Sequence, residues 1–282
     1  MHKTEEELIE KCRTLRKKGL TLGEIIKIIN LPKTTAYSYI YNIPLPLKIK
    51  KRIRQENIKR IIALNKERKG KCLPGRVFLK PEGWSLELIF IVSHFMFDGQ
   101  IRYCGCEYYN RNDYLIKKMR KTIKEILKID SKIYERDFGV KQLRYYYVEL
   151  AQYIKRKAKE LFNYIKTAPL KEKKIFLRCF FDDEGSVYFN KNKNIRRIKG
   201  YQHNLKILKL IQKLLEDFKI ESKIDSKHKE IIVSRKENLM KFHDEINFSN
   251  GVYINPERRN SIWRQKLEKR EILNKVINSY KI

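Results

Sequence analysis

Two segments of this chain are apolar and then end in an acidic residue followed by glycine. The first covers residues 86–99 and carries Asp98, and the second covers residues 174–185 and carries Glu184. If each segment is a helix, its acidic residue lies at the negative end of the helix dipole, where a carboxylate is unfavourable. A positive charge must compensate there, and a divalent cation is the natural candidate.

Because this pattern of an apolar segment, an acid and a glycine occurs twice, it predicts how the two helices are arranged relative to each other. A helix that is apolar on nearly all sides is buried on both flanks, and a glycine directly after it predicts a left-handed stop. Two such helices predict a pseudo-twofold pair, lying side by side, with Asp98 and Glu184 meeting at one end. Shared carboxylates suit Mg²⁺, which activates water for phosphodiester hydrolysis.

The segments resemble the nine-residue motif of the LAGLIDADG (DOD-type) homing endonuclease family. The first segment, residues 91–99, keeps mainly the acid and glycine of the motif. The better match is the second copy: Leu177, Arg178, Cys179, Phe180, Phe181, Asp182, Asp183, Glu184 and Gly185. The resemblance spans residues 81–265 as a single-chain form with two repeats, and it places the metal-binding acids of the family on Asp98 and Glu184.

The resemblance implies a fold and an activity. The fold is α+β, with two αββαββα repeats forming a saddle of two antiparallel sheets over the major groove of DNA. The activity is site-specific cleavage of both strands of double-stranded DNA with Mg²⁺ bound by Asp98 and Glu184.

The elements expected around the two motifs follow the same order in both halves. In the first half they are a short hairpin at 100–109, a helix at 113–127, strands near 131–138 and 141–148, and a helix at 149–162. In the second half they are a hairpin from 186–190 and 195–201, a helix at 203–218, a hairpin from 222–227 and 230–234, and a helix from 236. A charged, exposed helix is predicted for residues 257–280, with Trp263 and Leu267 as its anchors.

Side chains on the strands alternate between two faces, so one face of each sheet is expected to meet DNA. The predicted DNA contacts of the sheets are Arg102, Lys132, Tyr134, Arg136, Lys141, Arg197, Lys199, Tyr201, Lys223 and Lys227. The resemblance also implies a supporting lysine near the metal, for which Lys141 and Lys227 are the two candidates.

The amino-terminal segment, residues 5–41, has the pattern of three short helices. Thr21 followed by Glu24 forms a capping box before the second helix. The segment resembles the helix-turn-helix of resolvase-type and homeodomain-like regulators, whose last helix reads base edges in the major groove. The residues expected to do this are Lys33, Thr34, Thr35, Tyr37 and Ser38. A three-helix packing module that binds protein, or nothing, is the alternative.

The charge of the chain favours a nucleic-acid partner. Lys and Arg number 65 against 33 Asp and Glu, which gives a formal net charge of +32. Such self-repulsion is relieved by a polyanion. Residues 46–80 are especially basic and predict a linker or helix that follows phosphates; a solvated spacer is the alternative.

The chain carries no apolar run of about 18 residues, the length needed for a membrane span. Its acidic amino end predicts no secretory signal, and its five cysteines suggest neither a disulfide framework nor a zinc site. We therefore expect a cytoplasmic, nucleoid-associated monomer with internal pseudo-symmetry.

The predicted domains are a helix-turn-helix module at 1–45, a basic linker or helix at 46–80, repeat 1 at 81–168, and repeat 2 with a carboxyl-terminal helix at 169–282. His94 is expected to be a core histidine. Asp182 and Asp183 are expected either to add acidity beside Glu184 or to be solvated.

Two departures from the family pattern leave alternatives open. Phe97 stands where a small residue is usual and is expected to disturb the approach of the helix ends, and the first hairpin is short. A DNA-binding transcriptional regulator that no longer cleaves is the first alternative, and an RNA maturase that binds intron RNA is the second.

Overall fold

The computed structural model describes residues 5–68, 78–257 and 263–280. The chain divides into two compact units, with the boundary between residues 71 and 72. Of the basic residues of the predicted linker, Lys69 and Lys71 lie outside the described residues, as do Cys72 and residues 258–262 of the predicted carboxyl-terminal helix.

The first unit is all helical, with α1 at Glu5–Lys17, α2 at Leu22–Ile29, α3 at Lys33–Ile40 and α4 at Leu47–Arg68. Thr21 caps α2 through the capping box with Glu24, as its sequence predicts. The small core of this unit centres on Cys12, Ile25 and Ile40.

The second unit begins with a mixed helical and stranded repeat. Its elements are α5 (Leu86–Phe97), β1 (Gly99–Arg102), β2 (Gly105–Asn110), α6 (Asp113–Leu127), β3 (Ile133–Glu135), β4 (Lys141–Tyr145) and α7 (Val148–Tyr164). The four strands form one antiparallel sheet in the order β1-β2-β4-β3.

The second repeat has the same order of elements. They are α8 (Leu170–Glu184), β5 (Gly185–Asn190), β6 (Ile195–Tyr201), α9 (Leu205–Asp217), β7 (Ser222–Asp225), β8 (Glu230–Ser234) and α10 (Lys236–Lys241), which continues as a π-helical turn at Phe242–Ile246. Its antiparallel sheet has the order β5-β6-β8-β7. The predicted α+β class and the two αββαββα repeats are therefore confirmed.

One hydrophobic core runs through both repeats and is built around α5 and α8. Helix α5 is buried on nearly every side, as its apolar sequence requires. Helices α6 and α9 are amphipathic instead: each buries a stripe that is mainly leucine and isoleucine and leaves most of its lysines exposed. Helices α5 and α8, which end at Asp98 and Glu184, thus lie at the centre of the unit.

The predicted left-handed conformation of the motif glycines is wrong. Gly185 is extended, with φ −89° and ψ 153°, and Gly99 begins a strand. Glycine is needed at both places because the chain turns tightly from helix to strand. A Cβ atom on Gly99 would lie 2.5 Å from the carbonyl oxygen of Phe95, and one on Gly185 would meet that of Phe181 in the same way.

The predicted exposed helix at 257–280 is also wrong in extent and in burial. Helix α11 covers only Lys269–Asn278. Residues before it form an isolated antiparallel bridge between Tyr253 and Glu268. Ile272, Leu273 and Val276 are buried, because this short apolar stripe packs α11 against β5 and α10.

Across the described residues, none of the helices combines the length and the apolar character that crossing a bilayer requires.

Candidate active site between the two repeats

Helices α5 and α8 pack directly against each other, and small side chains lie in their shared core. Ser93 and Cys179 are both buried there. Phe97 does not hold the helices apart: its ring packs edge-on against Phe176 at 5.4 Å and Phe180 at 5.3 Å between centroids. The large side chain expected to disturb this end is therefore absorbed into an aromatic cluster.

The structure brings Asp98 and Glu184 together at the same end of this helix pair. Asp98 is the residue at which α5 ends, and its backbone N–H donates to the carbonyl of His94 at 3.1 Å. Glu184 is the last residue of α8. The two carboxyl groups are close enough to interact electrostatically.

Both carboxyl groups are hard to ionise where they lie. Burial, followed by the charge of Asp183, raises the pKa of Asp98 to about 7. Burial, followed by the charge of Asp98, raises the pKa of Glu184 to about 8. A cation bound beside both carboxyl groups would favour their ionised forms, because an opposite charge nearby stabilises a carboxylate.

Asn110, from β2, ties the two repeats together beside these acids. Its Nδ2 group donates to Asp98 Oδ2 at 3.0 Å and to Asp183 Oδ1 at 3.2 Å. By contrast, within the part of the chain that the structure describes, no side chain hydrogen-bonds to the carboxylate of Glu184. One acid of the pair is thus held in place and the other is free to turn.

Behind this end lies a buried hydrogen bond across the repeats. His94 Nδ1 of α5 is 2.6 Å from Asp183 Oδ2 of α8, and both side chains are almost fully buried. Tyr108 donates its hydroxyl proton to Asp183 Oδ1 at 3.1 Å. Burial lowers the pKa of His94 to about 4, so the imidazole is neutral and donates a hydrogen bond. His94 is a core histidine, as predicted.

Asp182 and Asp183 are not solvated carboxylates. Asp182 is 2% exposed and accepts a hydrogen bond from the backbone N–H of Ser249 at 2.9 Å. Burial raises the pKa of both groups, most strongly that of Asp183. They add buried acidity beside Glu184, which is one of the two expectations, and the solvated alternative is wrong.

Sequence reasoning missed two polar residues of this cluster. Asn110 stands on β2, the second strand after the first motif, two residues beyond Tyr108, so its proximity follows from the hairpin register. Lys269 enters from α11 and donates to the carbonyl oxygen of Asp182 at 2.6 Å. No local pattern connects it with residues so far back in the chain.

The donor set suits Mg²⁺ bound mainly through water and substrate. Among the described residues no group of three or more His, Cys, Asp or Glu side chains is arranged to hold a metal. Mg²⁺ commonly uses only one or two carboxylates, with waters and phosphate oxygens completing its shell. Asp98 and Glu184, which are both partly exposed, fit that pattern.

The outer face of the first sheet carries several of the predicted DNA contacts. Register places Tyr134 opposite Gln142, and Arg102 lies on the same face near the hairpin end. Arg136 joins that face by donating to Gln142 Oε1 at 2.8 Å. Lys132 is exposed beside β3. Sequence reasoning missed Arg144, which lies on this face with its guanidinium 4.6 Å from the ring centroid of Tyr134.

Lys141 does not lie on that face. Its register partner is Glu135, on the opposite side of the sheet from Tyr134, and its ammonium group is 2.5 Å from Asp113. Side chains alternate along a strand, so Lys141 lies on the face opposite to that of Gln142 and Arg144.

The outer face of the second sheet gathers the other predicted contacts. Arg197, Lys199 and Tyr201 alternate along β6 on one face, and Lys223 shares it through the register of β8 and β7. Lys199 pairs with Glu230 at 2.6 Å. Lys227 lies in the exposed turn after β7. Tyr188, opposite Arg197, is on the same face and was missed.

In the first unit, the predicted base-reading residues all belong to α3. Lys33, Thr34, Tyr37 and Ser38 are exposed and Thr35 is half-buried. Ala36 and Ile40 form the inner side of this helix. The hydroxyl-rich face is thus available to a partner.

Comparison with known proteins finds one match to a family model and several matches to solved structures. Residues 171–247 match the family model described as a LAGLIDADG-like domain. No curated protein matches the chain.

Among solved structures, mesophilic variants of the homing endonuclease I-DmoI match with 18% identity over 61% of this chain and 94% of theirs, at a TM-score of 0.44. The amino-terminal LAGLIDADG domain of DUF199/WhiA matches with 16% identity over 60% and 87%, at 0.43. Full-length DUF199/WhiA from Thermatoga maritima matches with 14% identity over 72% and 63%, at 0.45.

Proposed function

We propose that this protein binds double-stranded DNA and cleaves it by Mg²⁺-dependent phosphodiester hydrolysis at a specific site. The observation that carries the proposal is the meeting of Asp98 and Glu184 at the joined ends of α5 and α8, with the pKa of each raised towards or above neutrality. The LAGLIDADG-like match over residues 171–247 includes the second of these acids.

Each residue has a separate task in this proposal. Asp98 and Glu184 would hold the metal, which supplies a Lewis acid for the phosphate and an activated water. Asn110 keeps Asp98 turned toward Glu184 through its 3.0 Å hydrogen bond. The outward-facing cations and tyrosines of the two sheets, with α3 of the first unit, would neutralise phosphates and contact bases.

The test is cleavage of a randomised duplex library by purified protein in Mg²⁺. We expect Asp98→Asn and Glu184→Gln each to reduce the cleavage rate by about 100-fold or more, since each removes a charge that holds the metal. Duplex affinity should stay within about threefold, because phosphate contacts dominate it.

Matched controls come from exposed acids of the same unit. Asp137→Asn and Glu135→Gln change charge equally at exposed positions of the first sheet, and both should leave cleavage unchanged. Cleavage that persists unchanged in Asp98→Asn and Glu184→Gln would refute the assigned roles.

A DNA-binding regulator that does not cleave is the second candidate. It is favoured by the first hairpin, whose strands β1 and β2 have four and six residues against six and seven in β5 and β6. A shorter hairpin reduces the DNA footprint of the first repeat. This candidate predicts specific duplex binding without Mg²⁺ and no cleavage of any library member.

A further inference from the structure

The carboxyl-terminal segment reaches into the acidic end of the helix pair through one lysine. Lys269, the first residue of α11, is only 7% exposed, and its ammonium group donates to the carbonyl oxygens of Phe181 at 3.2 Å and Asp182 at 2.6 Å. These carbonyls belong to the last turn of α8, where helices leave acceptors without intrahelical partners.

The position of this ammonium group is fixed from both sides. The backbone N–H of Lys269 donates to the carbonyl of Val252 at 2.8 Å, and the backbone N–H of Ile254 donates to the carbonyl of Leu267 at 3.0 Å. Its side chain also lies 5.5 Å from the ring centroid of Phe248. A buried lysine held this closely is costly unless its charge is compensated.

The compensation comes from the acids of the site. Electrostatic attraction from Lys269 reaches all four carboxyl groups there: Asp98, Asp182, Asp183 and Glu184. His94, the other basic side chain nearby, is neutral at physiological pH because burial lowers its pKa to about 4. Among the described residues, Lys269 is therefore the buried cation that balances this cluster.

We propose that Lys269 is a positioning residue of the site: it acts as a resident counter-cation that holds the last turn of α8, and hence Glu184, in register with Asp98. Its ammonium group is turned to main-chain carbonyls, so it holds the metal ligands and does not contact substrate. The carboxyl-terminal helix is then part of the site. The inference rests on the proposed metal site at Asp98 and Glu184.

A thermodynamic cycle tests the electrostatic part without any need for cleavage. Lys269→Met keeps the length of the side chain and removes its charge. We expect it to lower the melting temperature by about 10 °C, as loss of one partner of a buried charge group does. Measured at pH 8.5, the loss in a Glu184→Gln background should be about half as large, because one of the carboxyl groups that balance Lys269 is already gone.

The matched control is Lys266→Met. Lys266 is exposed, and its ammonium group lies over the ring of Tyr253, 4.9 Å from the centroid. It should shift the melting temperature by less than about 2 °C in either background. If Lys269→Met yields too little folded protein, Lys269→Gln serves in the same cycle.

Metal provides the readout that a purely structural lysine would not move. Saturating Mn²⁺ should raise the melting temperature of Lys269→Met at least twice as much as that of the unchanged protein, because the metal replaces the missing cation. Cleavage by Lys269→Met should show a rate constant reduced about tenfold with an unchanged KM for duplex DNA.

The outcomes separate the two proposals. Equal losses of melting temperature in both backgrounds would overturn the role of Lys269, whether or not the protein cleaves DNA. Failure of Mn²⁺ to shift any of the proteins would overturn the metal site at Asp98 and Glu184, while the cycle with Glu184→Gln would still decide the role of Lys269.

Discussion

The two repeats place different side chains at the same two positions next to their acids. Four residues before the acid stands His94 in the first repeat and Phe180 in the second. Opposite the motif glycine in the hairpin register stands Tyr108 in the first and Gly200 in the second. In each repeat, these two positions border the same space between the central helix and its sheet.

The second repeat fills that space with one large ring. Phe180 is fully buried, and a Cβ atom on Gly200 would lie 2.8 Å from its Cζ atom. The first repeat divides the space between an imidazole and a phenol, with centroids 5.5 Å apart. The polar pair also provides partners for Asp183, which crosses from the second repeat. Symmetry of the backbone therefore coexists with an asymmetric polar core.

The largest change in stability should come from removing the carboxylate that interacts with the polar pair of the first repeat. Asp183→Ala removes the carboxylate that accepts from both Tyr108 and Asn110 and that pairs with His94. We expect the free energy of unfolding to fall by about 4 kcal/mol, since buried partners are left unsatisfied. Urea unfolding followed by circular dichroism measures it.

The control for that variant is Asp137→Ala, an exposed acid in the turn of the first sheet, which should change the free energy of unfolding by less than about 0.5 kcal/mol. A loss below about 1 kcal/mol in Asp183→Ala would show that the polar pair is dispensable and that the two repeats are energetically alike.

A smaller loss of stability is expected from crowding the Phe180 ring in the second repeat. Gly200→Ala forces a methyl group against the Phe180 ring and to 3.2 Å from Ile231 Cγ2. Overpacking of this kind should lower the free energy of unfolding by about 2 kcal/mol, measured by the same urea unfolding. Phe180→Leu should recover part of that loss in the double variant, because the smaller side chain frees space.

Gly83→Ala is the matched control, since a Cβ atom there meets nothing within 4 Å. If Gly200→Ala is as stable as Gly83→Ala, the close approach of Phe180 to β6 is not a constraint on this sequence.

Much of the fold could be predicted because local sequence patterns specify its helices and strands. The capping box at Thr21, the amphipathic period of residues 113–127 and the alternation along 195–201 each specify an element through short-range chemistry. The meeting of Asp98 and Glu184 could also be inferred, because two apolar helices with the same ending must be buried together.

The remaining features depend on contacts between distant parts of the chain. From the sequence alone, Lys269 is indistinguishable from the many surface lysines. It is buried because the bridge between Tyr253 and Glu268 places the start of α11 beside the last turn of α8. The role of His94 depends on its contact with Asp183 of the other repeat. The face on which Lys141 lies depends on the pairing of β4 with β2, which sets the phase of alternation along β4.

The smallest expected effect uses pH to compare the two acids. Their folded pKa values, about 7 for Asp98 and about 8 for Glu184, lie above the ordinary values of 3.8 and 4.5. Between about pH 4 and pH 8 the folded protein therefore binds more protons than the unfolded chain, and the free energy of unfolding falls as the pH rises through this window. Without metal, the protein should be less stable at pH 8.5 than at pH 6.

Glu184→Gln should flatten part of this pH dependence and raise the melting temperature at pH 8.5 by about 3 °C, with little change at pH 5 where the carboxyl group is already protonated. Asp98→Asn should give a smaller gain, because Asp98 already accepts a hydrogen bond from Asn110 and Glu184 receives none from the described side chains. Differential scanning fluorimetry from pH 5 to pH 8.5, in EDTA and then in Mg²⁺, measures both. Equal gains in the two variants would mean that the hydrogen bond from Asn110 does not distinguish the acids.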